Sequence, residues 1–178
     1  KVRKIMAVTR AKKPANTKPS AGKINIGLTA AARQAEVDLL NARLSDLVVL
    51  YFKTRKYHWN VTGMHFAELH ELFEEQYDQI AEAMDEVAER ARQLGGIAAG
   101  TLAEFLKLAS LIEQPGVNPS SEQMIRDLLD DHEAIIRQLR ADVDLTAETY
   151  KDAGTSDFLT GLMEAHEKMA WMLRAHLE

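Results

Sequence analysis

Four side chains stand out for the chemistry they could share: His58, His70, Asp85 and Glu89. Imidazole nitrogen combined with carboxylate oxygen suits iron, manganese or zinc. Asp85 and Glu89 are four residues apart, so on a helix their carboxylates lie on one face and can converge on one ion. His58 and His70 flank a predicted helix–loop–helix corner whose folding brings them close. His70 and Asp85, by contrast, are 15 residues apart on a stretch without Pro or Gly, which at ~1.5 Å per residue is about 22 Å. No single ion with bonds of about 2 Å spans that gap. If all four are ligands, the histidines of one subunit must meet the carboxylates of another. A two-fold axis crossing the second helix achieves this and makes two identical sites per dimer. The helical phase permits it, because this spacing advances the helix about 60° beyond whole turns and leaves both pairs on broadly one side.

Each residue also has a plainer reading. Asp85 and Glu89 fit a solvated helix face, with Glu86 and Arg90 at hand for ion pairs. His58, beside Trp59, fits a cation at a helix C-terminus, and His70 a packed residue. His65 and His176 carry less signal, and His132 and His166 fall in phase with apolar stripes as hydrogen-bonded core histidines. The seven methionines read as core filling. Glu-x-x-His pairs, which place two metals inside a helical bundle, are missing: the residues three before each histidine are Arg55, Thr62, Ala67, Leu129, Met163 and Leu173. No metal centre within the bundle is therefore expected.

Periodicity supplies the elements that position these groups. Val37, Leu40, Leu44, Leu47, Tyr51 and His58 define one helical face from about Thr29, a natural N-cap, to Asn60. Gly63 breaks the pattern, and a second helix runs from Phe66 to Leu94 with its seam on Phe66, Leu69, Phe73, Tyr77, Ile80, Met84, Val87, Ala91 and Leu94. Gly95-Gly96 stops it. A long connection follows, with a short helix predicted near Leu102 to Leu111. Ser120, with Gln123 behind it, opens a third long helix with the stripe Ile125, Leu128, His132, Ile135 and Leu139. After a turn over Lys151 to Gly154, a fourth helix from about Thr155 turns Leu159, Leu162, His166, Met169 and Leu173 inward. The expected fold is all-α: a ferritin-like four-helix bundle with a short helix in the connection between the second and third helices.

The charge is split along the 178 residues. Residues 1–35 hold nine Lys/Arg and no acid, and the rest hold 13 Lys/Arg against 27 Asp/Glu, so a front of +9 precedes a body of -14. Residues 1–28 read as a basic arm whose Lys1, Arg3, Lys4, Arg10, Lys12, Lys13, Lys18 and Lys23 are spaced by Pro, Gly and small polar residues, and residues 29–178 as the bundle. Zero cysteines exclude disulfides, thiolate metal sites and a cysteine nucleophile, and fit a cytoplasmic protein. No apolar run approaches the ~20 residues of a membrane span, and no apolar signal core follows the N-terminus.

Beyond spacing, the run Lys56-Tyr57-His58-Trp59-Asn60-Val61-Thr62-Gly63, then Phe66, Leu69-His70, Phe73 and Tyr77, then Met84-Asp85-Glu86-Val87-Ala88-Glu89-Arg90 and Leu94-Gly95-Gly96, resembles the Dps family, the DNA-binding proteins from starved cells. The resemblance covers roughly residues 30–178. It implies that His58, His70, Asp85 and Glu89 are ferroxidase ligands shared across a two-fold interface, in agreement with the distance argument. It also implies that Trp59 and Trp171 match family tryptophans near the iron site, with Trp59 able to intercept a stray one-electron oxidant. The implied assembly is a hollow homododecamer that oxidises Fe(II), preferably with hydrogen peroxide, stores Fe(III) as mineral and so limits oxidative stress. The family often lines its pores with aspartates near the start of the fourth helix; Asp157 fits, while the neighbouring acidic cluster is thinned to Asp152. A body of -14 repels DNA, so the basic arm is expected to carry sequence-independent DNA binding at the nucleoid. The rival expectation is a nucleoid-packing shell with little ferroxidase activity.

Overall fold

A computed structural model describes residues 24–178 of the chain, so the eight basic residues from Lys1 to Lys23 lie outside the described residues. Thr29 caps the first helix, its Oγ1 accepting from the Ala32 N–H at 3.1 Å, and α1 runs Ala30–Asn60. Ile24 and Leu28 lie against the body, Ile24 beside Gly95. The corner at Gly63, whose φ is +113°, leads into α2, Phe66–Gln93. Then come α3, Leu102–Leu108; α4, Ser121–Asp144, capped by Ser120; and α5, Ala153–Ala175. No strand occurs among the described residues. No helix among them is long and apolar enough to cross a membrane.

α1 packs chiefly on α2, and α4 on α5, closing a four-helix core on Leu40, Leu47, Phe73, Ile80, Leu128, Ile135, Leu139 and Leu159. The expected seams are inward, with three exceptions: Phe66, at the first turn of α2, is exposed, and Tyr51 and Met84 are half-buried. Of the methionines, Met124, Met163 and Met169 fill the core, whereas Met64 on the corner stands in solvent.

Three boundaries differ from expectation, each for a local reason. The spacing predicts a short helix to Leu111, but α3 ends at Leu108. Asp46, buried on α1, accepts from the backbone N–H of Ser110 (2.6 Å) and Leu111 (3.0 Å) and from the Ser110 hydroxyl (3.0 Å), which draws the chain out of helix. At its far end α4 continues into a π-helical segment, Leu145–Tyr150. There the Thr146 hydroxyl donates to the Asp142 carbonyl, and Lys151 turns the chain at φ 60°. The fourth long helix then begins two residues earlier than expected because Asp152 caps it, accepting from the N–H groups of Gly154 (3.0 Å) and Thr155 (3.2 Å).

His132 and His166 are core histidines as expected, and each is the other's partner: their Nδ1 atoms are 2.8 Å apart. One ring donates and the other accepts, so the acceptor carries its proton on Nε2. Both Nε2 atoms are buried without a partner among the described residues. Burial pushes the His132 pKa well below the ordinary value and that of His166 down to about 4. Glu36 acts in the opposite sense. It is fully buried with neither oxygen hydrogen-bonded among the described residues, and burial, with Asp152 nearby, raises its pKa to about 7 against the pull of Arg90.

The sign for the histidine pair follows from linkage. Their folded pKa values lie below the unfolded ones, so their contribution is full above about pH 6.5 and declines as the pH falls toward about 4, by about 3 kcal/mol for His166. Urea unfolding of the wild type and of a His132→Leu/His166→Leu variant should therefore diverge: the wild type loses stability relative to the variant as the pH drops through this window. Taking the difference removes the opposing contribution of Glu36.

Candidate metal centre

The helix–loop–helix corner brings His58, at the end of α1, onto His70, in the second turn of α2. The rings stack with centroids 3.7 Å apart at 21°. Each Nδ1 contacts the backbone carbonyl of the other residue, His58 Nδ1 to His70 O at 2.8 Å and His70 Nδ1 to His58 O at 2.9 Å. A carbonyl oxygen only accepts, so both Nδ1 atoms must carry hydrogen, and in the neutral rings each Nε2 is left as a lone-pair donor. Hydrogen bonds of this kind orient histidine ligands and fix which nitrogen faces a metal.

Glu74 completes the cluster. Ligand atoms of His58, His70 and Glu74 lie within 4.8 Å of one another, and among the described residues no other set of three histidines or acids converges in this way. Sequence reasoning passed over Glu74, although it sits four residues after His70, the same spacing that singled out Asp85 and Glu89. Trp59, the fifth expected site residue, is largely exposed, with the Arg55 guanidinium 5.5 Å from its ring.

Asp85 and Glu89 do not join the cluster. They stand exposed further along α2, with no ion pair among the described residues. The ion pair that Arg90 could have given them goes elsewhere: its guanidinium donates to Asp152 Oδ2 at 2.9 Å and to the Thr155 hydroxyl. Asp152, expected as a pore acid, is buried with both oxygens engaged as helix cap and Arg90 partner. Asp157 remains exposed in the second turn of α5.

The donor set fits iron. Two neutral imidazoles and one carboxylate offer borderline and hard donors, and a pair of carboxylates at the other end of the same helix supplies hard oxygens. Residues 37–178 match the ferritin-like domain. A low temperature-induced protein of Nostoc sp. is 50% identical over 156 residues, 88% of this chain and 87% of that one. The DNA protection during starvation protein 2 of Bacillus anthracis is 37% identical, covering 79% of this chain and 95% of its own. The crystal structure of the Vibrio cholerae Dps protein, described as a member of a broad superfamily of ferritin-like diiron-carboxylate proteins, superposes with a TM-score of 0.83 at 32% identity, over 91% of this chain and 100% of that one. The chain belongs to the Dps family.

The tautomer assignment is directly checkable. In 15N-labelled protein near pH 8 without metal, His58 and His70 should both show the Nδ1–H tautomer, and titration with Co(II) should shift their Nε2 resonances. A His58→Ala variant should lose the imidazole contribution to the cobalt spectrum, and Glu74→Gln should weaken binding by at least about tenfold.

Proposed function

We propose that the protein is a ferroxidase and iron-storage shell whose catalytic sites are built across a two-fold interface. The observation that carries this reading is the separation of ligands between the two ends of α2: a preorganised cluster of His58, from the end of α1, with His70 and Glu74 at one end, and Asp85 and Glu89, four residues apart and unpartnered among the described residues, at the other. Antiparallel apposition of two α2 helices sets each cluster against the other copy's acids.

The surface around the cluster supports such a contact. Among the described residues, α3 has none buried within the subunit and exposes Leu102, Leu106 and Leu108. Phe52, Trp59 and Leu102 line one open groove with Pro115. Apolar surface of this kind marks an interface, and a second copy of the chain is the occupant that also completes the metal site. Such copies would close into the hollow homododecamer that the family resemblance implies.

In that arrangement Fe(II) is substrate. Two Fe(II) supply the two electrons that convert hydrogen peroxide to two hydroxides, leaving Fe(III), whose hydrolysis gives the stored mineral. The imidazoles admit Fe(II) as neutral donors, and the carboxylates compensate the added charge of Fe(III). Consuming iron and peroxide together suppresses radical formation. The acidic body draws cations toward the shell, and Asp157 is the proposed pore acid on α5. Sequence-independent binding and protection of DNA are assigned to the arm, with Lys1, Arg3, Lys4, Arg10, Lys12, Lys13, Lys18 and Lys23 neutralising phosphates and many arms per particle multiplying a weak contact. This places the shell at the nucleoid.

Two experiments test this. Purified protein loaded anaerobically with Fe(II) and mixed with peroxide should form Fe(III) oxide rapidly, while His58→Ala and Asp85→Ala should each slow the reaction at least about a hundredfold, a loss of about 2.7 kcal/mol of transition-state stabilisation; equal rates for all three would refute catalysis at this site. Deleting residues 1–23 should abolish DNA retention in a gel and leave iron oxidation intact. Retention by the full chain should also weaken steeply with salt, log K falling by about 0.9 per phosphate for each tenfold rise in salt.

A further inference from the structure

The connection between α2 and α4 is fastened from α1. None of residues 97–117 is buried, and α3 within it is seven residues long, too short to stand in water by its own hydrogen bonds. Three polar side chains of α1 hold the backbone on either side of it. Asn41 takes the segment before α3: its Nδ2 donates to the Ile97 carbonyl at 2.9 Å, and its Oδ1 accepts from the Ala99 N–H at 2.8 Å. Asp46 takes the residues just after α3, accepting from the N–H groups of Ser110 and Leu111. Lys56, further along α1, donates to the carbonyls of Gln114 and Val117. Every one of these grips is on backbone atoms, so together they set the path of the chain.

Asp46 is the central grip. It is 1% exposed, and hydrogen bonds to an ionised acceptor are roughly twice as strong as neutral ones. Arg43 donates to its Oδ2 at 3.0 Å and reaches Asp142 on α4 at 3.0 Å with its Nε. Ser110 is held a second time from α4, its Oγ accepting from Gln138 Nε2 at 2.8 Å. The segment held in this way carries its leucines outward: Leu102, Leu106 and Leu108 are exposed. Leu102 also lines the groove it shares with Trp59, the neighbour of His58. Apolar burial within the subunit therefore does not explain why the segment lies where it does.

We infer that Asn41, Asp46 and Lys56 are positioning residues for the shared metal site: they order the connection before a second copy arrives, so that α3 meets that copy as a preformed surface and sets the other copy's Asp85 and Glu89 over the His58–His70–Glu74 cluster. The inference rests on the shared-site reading above. None of the three belongs to the cluster itself. Their effect is on association: a segment already ordered in the free subunit loses little further freedom on binding, whereas a loosened one adds that entropy loss to the cost of assembly.

The test uses the full chain and its Asp46→Ala, Asp46→Asn and Asn41→Ala variants. Sedimentation velocity over a dilution series reads assembly, circular dichroism reads helix content, and Fe(III) absorbance after mixing with Fe(II) and peroxide reads the rate per subunit in the same samples. Asp46→Ala and Asn41→Ala should keep the wild-type helix content and come apart at protein concentrations at least about tenfold above those at which the wild type does. Their oxidation rate should fall as they dissociate and return close to the wild-type value when the protein is concentrated, a rescue that a damaged subunit would not show. Asp46→Asn, which keeps an oxygen for the Ser110 and Leu111 N–H groups, should lie between. Variants that stay assembled wherever the wild type does, or a lost rate that concentration does not restore, overturn the inference. If Asp46→Ala does not fold, Asn41→Ala decides, since Asn41 is only half-buried. Dissociated subunits that oxidise iron as fast as assembled ones overturn the shared-site reading, and a wild type that forms no Fe(III) overturns the ferroxidase reading. Both results are distinct from variants that stay assembled, which leave those readings standing.

Discussion

Residues 15 apart on an unbroken helix stand about 22 Å apart, and this rigidity of α2 governs the arrangement of the metal chemistry. The helix runs Phe66–Gln93 with His70 and Glu74 near its start and Asp85 and Glu89 near its end. A bend that brought the two groups together would break the seam of Leu69, Phe73, Ile80 and Val87 against the core. The fold therefore keeps the helix straight and holds the His58–His70–Glu74 cluster and the Asp85–Glu89 pair apart within one subunit. In the proposed arrangement, a two-fold pair closes what a monomer cannot.

Preorganisation of the histidine half comes from the corner that joins α1 to α2. Each imidazole donates to the other residue's carbonyl, so backbone and side chains lock one another and both Nε2 atoms are freed at once. The π-stacked pair sits against Tyr77 and Phe66, which restrict ring rotation. Elsewhere, ionic groups serve the scaffold: Asp46 ends α3, and Asp152 caps α5 while it holds Arg90 on α2. Removing Arg90 from competition is what leaves Asp85 and Glu89 available.

The bundle, its caps at Thr29 and Ser120 and the core positions of His132 and His166 were legible in the sequence, because long amphipathic stripes and capping residues are local signals, whereas the pairing of the two histidines across helices was not. The expectation that the histidines and the Asp85–Glu89 pair would not meet within one subunit follows from helix rise alone, and the side chains agree with it. The reciprocal carbonyl bonds of His58 and His70 were not legible, since they depend on the angle of the corner. Nor was the role of Asp46, whose partners Ser110 and Leu111 lie more than 60 residues away in the chain. Glu74 was readable by its spacing from His70 but is one acid among the many on the wet face of α2. Asp152 looked like a pore acid because it opens the fourth helix, and it is buried for the same reason: the orphan N–H groups there need a cap.

Subunit complementation tests the shared site most directly. A His70→Ala chain and an Asp85→Ala chain are each purified, shown to lack peroxide-dependent Fe(II) oxidation, and then co-assembled by joint expression with different tags. If the ligands of one site come from two subunits, a mixed two-fold pair has one doubly damaged site and one intact site, since the second chain's histidines meet the first chain's acids. Activity should therefore reappear, at up to about half the wild-type level per mixed pair. If each site is built within one subunit, every site in the mixture still lacks a ligand, and co-assembled protein as inactive as its parents would contradict the account.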